Sequence, residues 1–231
     1  AAAQSFDRYD LVCAPVVDGQ GKLIGRITVD TVLEYVRDRQ EQQELGKVGL
    51  REEEDLFSSV WASAKNRGPW LALNLCTAFI ASRVVGAFEG SIEKLAALAA
   101  LMPIVAGIGG NSANQTTTLI VRSLALGQVS ASNARRLLLK ELGISTLNGV
   151  IWGGVLGILT YLLYRNVALG GVMALAMLLN LVVAALAGIF IPLAMERFGR
   201  DPAVGSSVFL TFVTDSMGFF MFLGLATIFL L

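Results

Sequence analysis

The sequence predicts an all-α polytopic membrane protein: five transmembrane helices, preceded by a partial α/β segment and an amphipathic connecting helix. Three observations carry this prediction. Hydrophobic residues make up 55% of the chain and charged residues 16%, where globular domains average roughly half and a quarter. The excess is uneven: residues 1–67 are polar and charged, and residues 70–231 are dominated by long apolar runs. Those runs divide into five segments of about 20 residues or more, each able to span ~30 Å of hydrocarbon.

Composition also excludes some chemistry. Net charge is zero, so only the distribution of charge informs about partners. There is no His, which removes the commonest transition-metal ligand and leaves oxygen-ligand ions as the plausible cations. Cys13 and Cys76 are too few and too distant for a disulfide framework and read as small buried side chains. No GxxxxGK[ST] run is present, so ATP-driven pumping has no visible machinery. The chain is read as a conduit, not an enzyme. It begins Ala1-Ala2-Ala3-Gln4, without a signal pattern, and reads as a piece of a longer protein.

The elements follow in order. Residues 11–17 read as a buried strand, Asp18-Gly19-Gln20-Gly21 as a turn, and residues 22–29 as a second strand. Asp30 can cap a helix through Tyr35 towards Arg39. Strand, turn, strand and helix make about half a small domain (residues 1–36), which cannot bury a core alone. Residues 37–68 are charged, with Arg37-Asp38-Arg39-Gln40-Glu41 and Arg51-Glu52-Glu53-Glu54-Asp55. Leu56, Phe57, Val60, Trp61 and Ala64 recur there near helical spacing, as in an amphipathic connector at a membrane surface.

The membrane domain is residues 69–231, with spans expected near 69–88, 95–121, 143–164, 168–195 and 205–231. Pro192 is expected to bend or end the fourth. Lys65 and Arg67, then Arg122, Arg135, Arg136 and Lys140, then Arg197 and Arg200 fall on one side. The other side has Lys94 and Arg165. The positive-inside rule puts the N-terminus in the cytoplasm and the C-terminus outside, in a cell (inner) membrane.

Two constellations stand out within the spans. Asp215 lies near the middle of the last, where an ionised Asp costs about 2.5–3.5 kcal/mol on insertion scales and usually faces a polar cavity or pathway. The second span carries the polar run Pro103 to Gln115. On a helix, Gly107, Asn111, Asn114 and Thr118 fall on one face, at spacings of four, three and four. In the fifth span Ser207, Thr211 and Asp215 form an i, i+4, i+8 ladder, with Thr214 and Gly218 alongside. Two such faces opposed make a narrow oxygen-lined pore with one fixed negative charge. Mg²⁺ sheds water reluctantly and is often held through its hydration shell by one or two carboxylates. The charge count fits Ca²⁺, Mn²⁺ or Na⁺ equally. The competing reading makes the Asn and Thr side chains interhelical glue and the glycines packing sites. Arg83 can snorkel outward from the first span. Asn74, Asn148 and Asn180 are expected to pack helices, and Gly149, Gly153 and Gly157 to mark a helix contact.

At these residues the chain resembles the MgtE family of magnesium channels and transporters. The matching stretches are Pro103 to Gln115, Asp201-Pro202-Ala203 with Ser206, and Thr211-Phe212-Val213-Thr214-Asp215. The run from Ala14 to Asp30 resembles the closing half of a CBS (cystathionine β-synthase) domain, so residues 1–36 are expected to be a partial CBS domain. The resemblance implies a homodimer with the ion path between subunits. It implies that Asp215 holds hydrated Mg²⁺, with Gly107 and the Thr211 carbonyl completing the site. Asn114, Thr118 and Ser207 match pore-lining positions towards the cytoplasm, and Asp201 matches an acidic position at the cytoplasmic mouth. Closure in the family comes from intracellular Mg²⁺ bridging acidic groups, a part that Asp30, Glu34, Asp38 and Glu41 could take. The family's N-terminal helical domain, its first CBS domain and half of the second have no counterpart here.

The function expected is therefore a Mg²⁺-selective channel or transporter gated by intracellular Mg²⁺. The alternatives are a coupled Mg²⁺/Na⁺ exchanger and a membrane-anchored CBS module sensing a nucleotide. Mg²⁺ is the expected transported and regulatory ion, and a nucleotide would require an intact CBS domain. The partners expected are a second copy, lipid and divalent cations, with no nucleic acid.

Overall fold

A computed structural model of the protein describes residues 2–47, 50, 57, 59–126 and 133–231, with residues 2, 4, 7, 39, 43, 47 and 134 described by backbone alone. The chain forms two compact units, Ala1–Asn66 and Arg67–Leu231. The part of the expected connector at residues 51–56 lies outside the described residues.

In the first unit α1 (Ala2–Arg8) precedes β1 (Cys13–Val17), β2 (Leu23–Thr28) and α2 (Val29–Lys47). The strands pair antiparallel, Cys13 opposite Thr28 and Val16 opposite Gly25, with an irregularity between Val16 and Val17. The connecting turn is set by Asp18, whose Oδ1 accepts from the N–H of Gln20 and of Lys22, each at 2.9 Å. Gly21 takes φ +80° there, a value that glycine adopts without steric cost. The strand expected to be buried is largely exposed, with Val16 and Val17 open, as are Leu23 and Ile24 on β2. The two-stranded sheet has only a thin cover, and the unit's small core is Phe6 on α1 with Val32 on α2. Cys13 and Cys76, expected buried, are both exposed. Sequence periodicity did not find α1. It also stopped α2 too early, because residues 40–45 are good helix formers that carry the helix past Gly46 to Lys47.

The later helices are α3 (Val60–Gly86), α4 (Glu89–Lys94), α5 (Ala97–Ala125), α6 (Ala134–Tyr164), α7 (Val167–Arg197) and α8 (Ser206–Leu230). Among the described residues, four helices are long and apolar enough to cross a membrane: α3, α6, α7 and α8. The 29-residue α5 has the length, but its run of Gly, Asn, Ser, Gln and Thr keeps it below that hydropathy.

In the second unit α7 is the hub, packing on α5, α6 and α8, and α5 also packs on α8. The α6–α7 seam is made by glycine. A Cβ on Gly153 would lie 2.7 Å from the Ala174 carbonyl oxygen, and one on Gly157 2.8 Å from that of Gly170. The two helices are joined by Arg165 in the left-handed conformation and by Asn166, whose Oδ1 accepts from Leu169 N–H at 3.1 Å. Two apolar clusters close the bundle. One gathers Leu98, Val105, Met173, Met177 and Phe222. The other gathers Ala113, Ala184, Ala187 and Leu210. By contrast, α3 buries only Ala81 among its residues, leaving Leu71, Leu75 and Phe79 open. Arg83 is exposed, its guanidinium 5.7 Å from the Phe79 ring centre.

Pro192 does not end its helix: α7 continues through it to Arg197. Proline has no N–H to give the carbonyl four residues earlier, that of Gly188. The hydroxyl of Thr117 on α5 supplies the missing donor, at 3.2 Å from the Gly188 oxygen. A neighbouring Thr is one of the recognised ways a proline is tolerated inside an apolar helix.

Candidate functional site

The site is built on α5 and α8. Along α5, Val105, Gly109, Ala113, Thr116 and Ile120 are buried, while Gly107, Asn111, Asn114 and Thr118 are exposed. The polar period seen in the sequence is therefore a real face, turned away from the bundle's own core. A side chain added at Gly107 would meet nothing within 4 Å. Thr118 donates its hydroxyl to the Asn114 carbonyl at 2.8 Å, within its own helix.

On α8, Thr211 is exposed and Ser207 and Asp215 are half-buried. Among the described residues nothing hydrogen-bonds to or ion-pairs with the Asp215 carboxylate. Thr214, expected to line the pore, is instead fully buried. Its hydroxyl donates back to the carbonyls of Leu210 at 2.9 Å and Thr211 at 3.2 Å. The reason is contact with α5: a Cβ on Gly110 would stand 3.6 Å from Thr214 Oγ1. Thr214 is the point where α8 rests on the glycines of α5, so its oxygen is turned into its own backbone.

That contact fixes levels. Ala113 and Leu210 belong to one cluster and Val105 and Phe222 to the other, so α5 and α8 run antiparallel. Gly107 and Asn111 then flank the level of Asp215, and Thr118 reaches the level of Ser207. Between the clusters lies a belt of small and polar residues: Gly109, Gly110, Asn180, Thr214 and Gly218. Asn180 fills it, fully buried, donating from Nδ2 to the Val105 carbonyl at 2.9 Å.

Among the described residues there is no group of three His, Cys, Asp or Glu side chains that could hold a metal. One chain thus offers one carboxylate and several neutral oxygens. That donor set suits a hard cation that keeps its water, since it cannot replace a full coordination sphere.

The other acidic candidates lie on other elements. Asp30, Glu34, Asp38 and Glu41 lie at helical spacing on α2, all exposed. Asp201, also exposed, belongs to the second unit, in the turn before α8. Its Oδ1 accepts from Ala203 N–H at 2.9 Å, and Gly205 takes φ +88° as the helix begins. Sequence reasoning did not single out Glu141, a carboxylate buried on α6 that accepts from Thr116 Oγ1 at 3.2 Å. The signal was an acidic residue one position past Lys140, at the start of an apolar run.

The magnesium transporter MgtE of Thermus thermophilus is 32% identical over 96% of this chain and 50% of its own length. That of Enterococcus faecalis is 31% identical over 99% of this chain and 50% of its own. That of Bacillus subtilis is 28% identical over 99% and 51%. The chain spans about half the length of the curated relatives it matches. The profile of the MgtE family, described as a divalent cation transporter, matches residues 102–225, the stretch that holds the exposed face of α5 and the Asp215 face of α8, and the chain belongs to that family.

Proposed function

We propose that this chain conducts Mg²⁺ across a membrane as a homodimer, with the ion passing between two α5–α8 faces. The observation that carries the reading is Asp215, a carboxylate without a protein partner among the described residues, level with an exposed glycine and asparagine face on the neighbouring helix. A lone carboxylate inside an apolar helix is expensive unless it serves a pathway. In a dimer two Asp215 side chains would face one hydrated ion, with Gly107 leaving room for its water and the Thr211 carbonyl, Asn111, Asn114, Thr118 and Ser207 offering neutral oxygens. The names of the relatives support magnesium as the cargo. In this reading α5 also crosses the membrane, as the second of five spans in chain order, α3 starts in the cytoplasm and α8 ends outside, because the basic residues Arg122, Arg135, Arg136, Arg197 and Arg200 belong on the inner side.

Regulation by cytoplasmic Mg²⁺ belongs to the same proposal. Metal bound by Asp30, Glu34, Asp38 and Glu41 in the first unit, and by Asp201 in the second, would favour a closed arrangement through its differential affinity for it. Channel activity measured against cytoplasmic Mg²⁺ tests this: Asp38→Asn with Asp201→Asn should lessen inhibition, and unchanged inhibition would remove these carboxylates from the regulation.

The decisive experiment is Mg²⁺ uptake into liposomes. Asp215→Ala should abolish flux while the protein remains folded and assembled. Asp215→Asn should weaken block by cobalt hexammine, a mimic of hydrated Mg²⁺. Wild-type flux in Asp215→Ala would overturn the assignment. Flux that requires a Na⁺ gradient would make the protein an exchanger.

A further inference from the structure

Asn180 is a costly residue for its place. It sits in the middle of α7, the most apolar of the four candidate spans, with no exposure at all. Its Oδ1 is buried without a hydrogen-bond partner among the described residues. A Leu there would fill similar space with no polar atom to satisfy. Packing alone therefore does not account for the amide.

Its surroundings do. Nδ2 donates to the Val105 carbonyl of α5 at 2.9 Å. A Cβ on Gly109 of α5 would overlap Nδ2, and a Cβ on Gly218 of α8 would fall 2.8 Å from it. The amide is thus clasped between the bare backbones of two helices and bonded to one of them. Oδ1 would lie 3.4 Å from a Cβ at either glycine, so Nδ2 is the amide atom that sits closest to both backbones. A directional bond with two glycine contacts sets register, which an apolar side chain sets far less sharply.

The register concerned is that of the candidate site. Val105 precedes Gly107 by two residues, and Gly218 follows Asp215 by three. We propose that Asn180 is a positioning residue, which locks α5 against α8 from behind and thereby fixes the distance between the Gly107 backbone and the Asp215 carboxylate. This rests on the ion path proposed above. It assigns to α7, which contributes nothing to the exposed faces, the part of a supporting shell.

The test pairs two readouts on the full chain. Asn180→Leu, purified and folded, should raise the half-saturating Mg²⁺ concentration for liposome uptake about tenfold, the lower end of the loss when a group orienting a metal ligand is removed. Block by cobalt hexammine should weaken in parallel. Asn180→Leu with wild-type half-saturation and block would overturn the proposal. The clasp is tested without transport by melting Gly109→Ala, Asn180→Ala and the double variant in detergent. The double variant should melt higher than Gly109→Ala alone, because removing the amide makes room for the new methyl group. Additive losses would overturn the clasp, and they decide the matter if Asn180→Leu does not fold. Asp215→Ala is run alongside: full flux there would overturn the ion path, while the melting cycle still judges the clasp.

Discussion

Gly107 and Gly109 are two residues apart on α5, yet they separate what the bundle needs from what the path needs. A side chain at Gly107 meets no protein atom, whereas one at Gly109 collides with Asn180. Gly107→Val should therefore leave the melting temperature in detergent close to wild type and still block uptake, since the branched side chain would occupy space that the proposed path needs for a hydrated ion. Normal conduction by Gly107→Val would mean that this face looks at lipid or at another helix. Asn114→Leu should reduce flux less severely, because a neutral oxygen is lost while the carboxylate stays. The face of α5 was legible because its polar residues keep a helical period inside an apolar segment. Thr214 was not separable from Thr211 by the same means. A helical wheel orders residues around an axis, but it does not say where the next helix touches, and the Gly110 contact decides which hydroxyl is covered.

At the level of elements, the long helices persist through features that sequence rules treat as breaks. Pro192 read as a bend or an end because the rule considers one helix at a time. The donor that satisfies Gly188 comes from Thr117, 71 residues away along the chain, and no local window contains it. Thr117→Val keeps the shape and removes the hydroxyl. It should destabilise the protein by about 1–3 kcal/mol, the cost of leaving a buried carbonyl unpaired, and Thr117→Ser should restore most of the loss. Equal melting of the valine and serine variants would show that the carbonyl finds its donor elsewhere. The glycine seam of α6 and α7 was legible, since spacing by four places Gly149, Gly153 and Gly157 on one stripe. Asn180 was visible only as a packing amide, because its partners lie on two other helices.

For the whole molecule, the polar first unit and the apolar second were plain from composition, and the apolar runs were long enough to announce themselves. Helix α5 shows the limit: the residues that suit it to the proposed path are those that lower its hydropathy. Assembly is the property least visible in one chain, because a single carboxylate face is only half of the proposed path. With Cys13 and Cys76 replaced by Ala, a cysteine at the exposed Thr211 should cross-link two copies in liposomes under mild oxidation. Only monomer in that experiment would remove the intersubunit path. The uncovered apolar residues of α3, Leu71, Leu75 and Phe79 among them, give the molecule a large surface for lipid or for a neighbouring copy.

The joint between α6 and α7 carries a consequence for biogenesis. Two residues, Arg165 and Asn166, reverse the chain, and Asn166 closes the first turn of α7 with its own side chain. A connection so short leaves α6 no freedom to settle before α7 arrives. Although α6 emerges first, a joint this short predicts that the two settle into the bilayer as one helical hairpin, closed along the glycine seam. A spacer inserted between Arg165 and Asn166 would let each helix insert separately, and the yield of membrane-integrated protein during synthesis would fall even where the finished bundle could accommodate the longer loop.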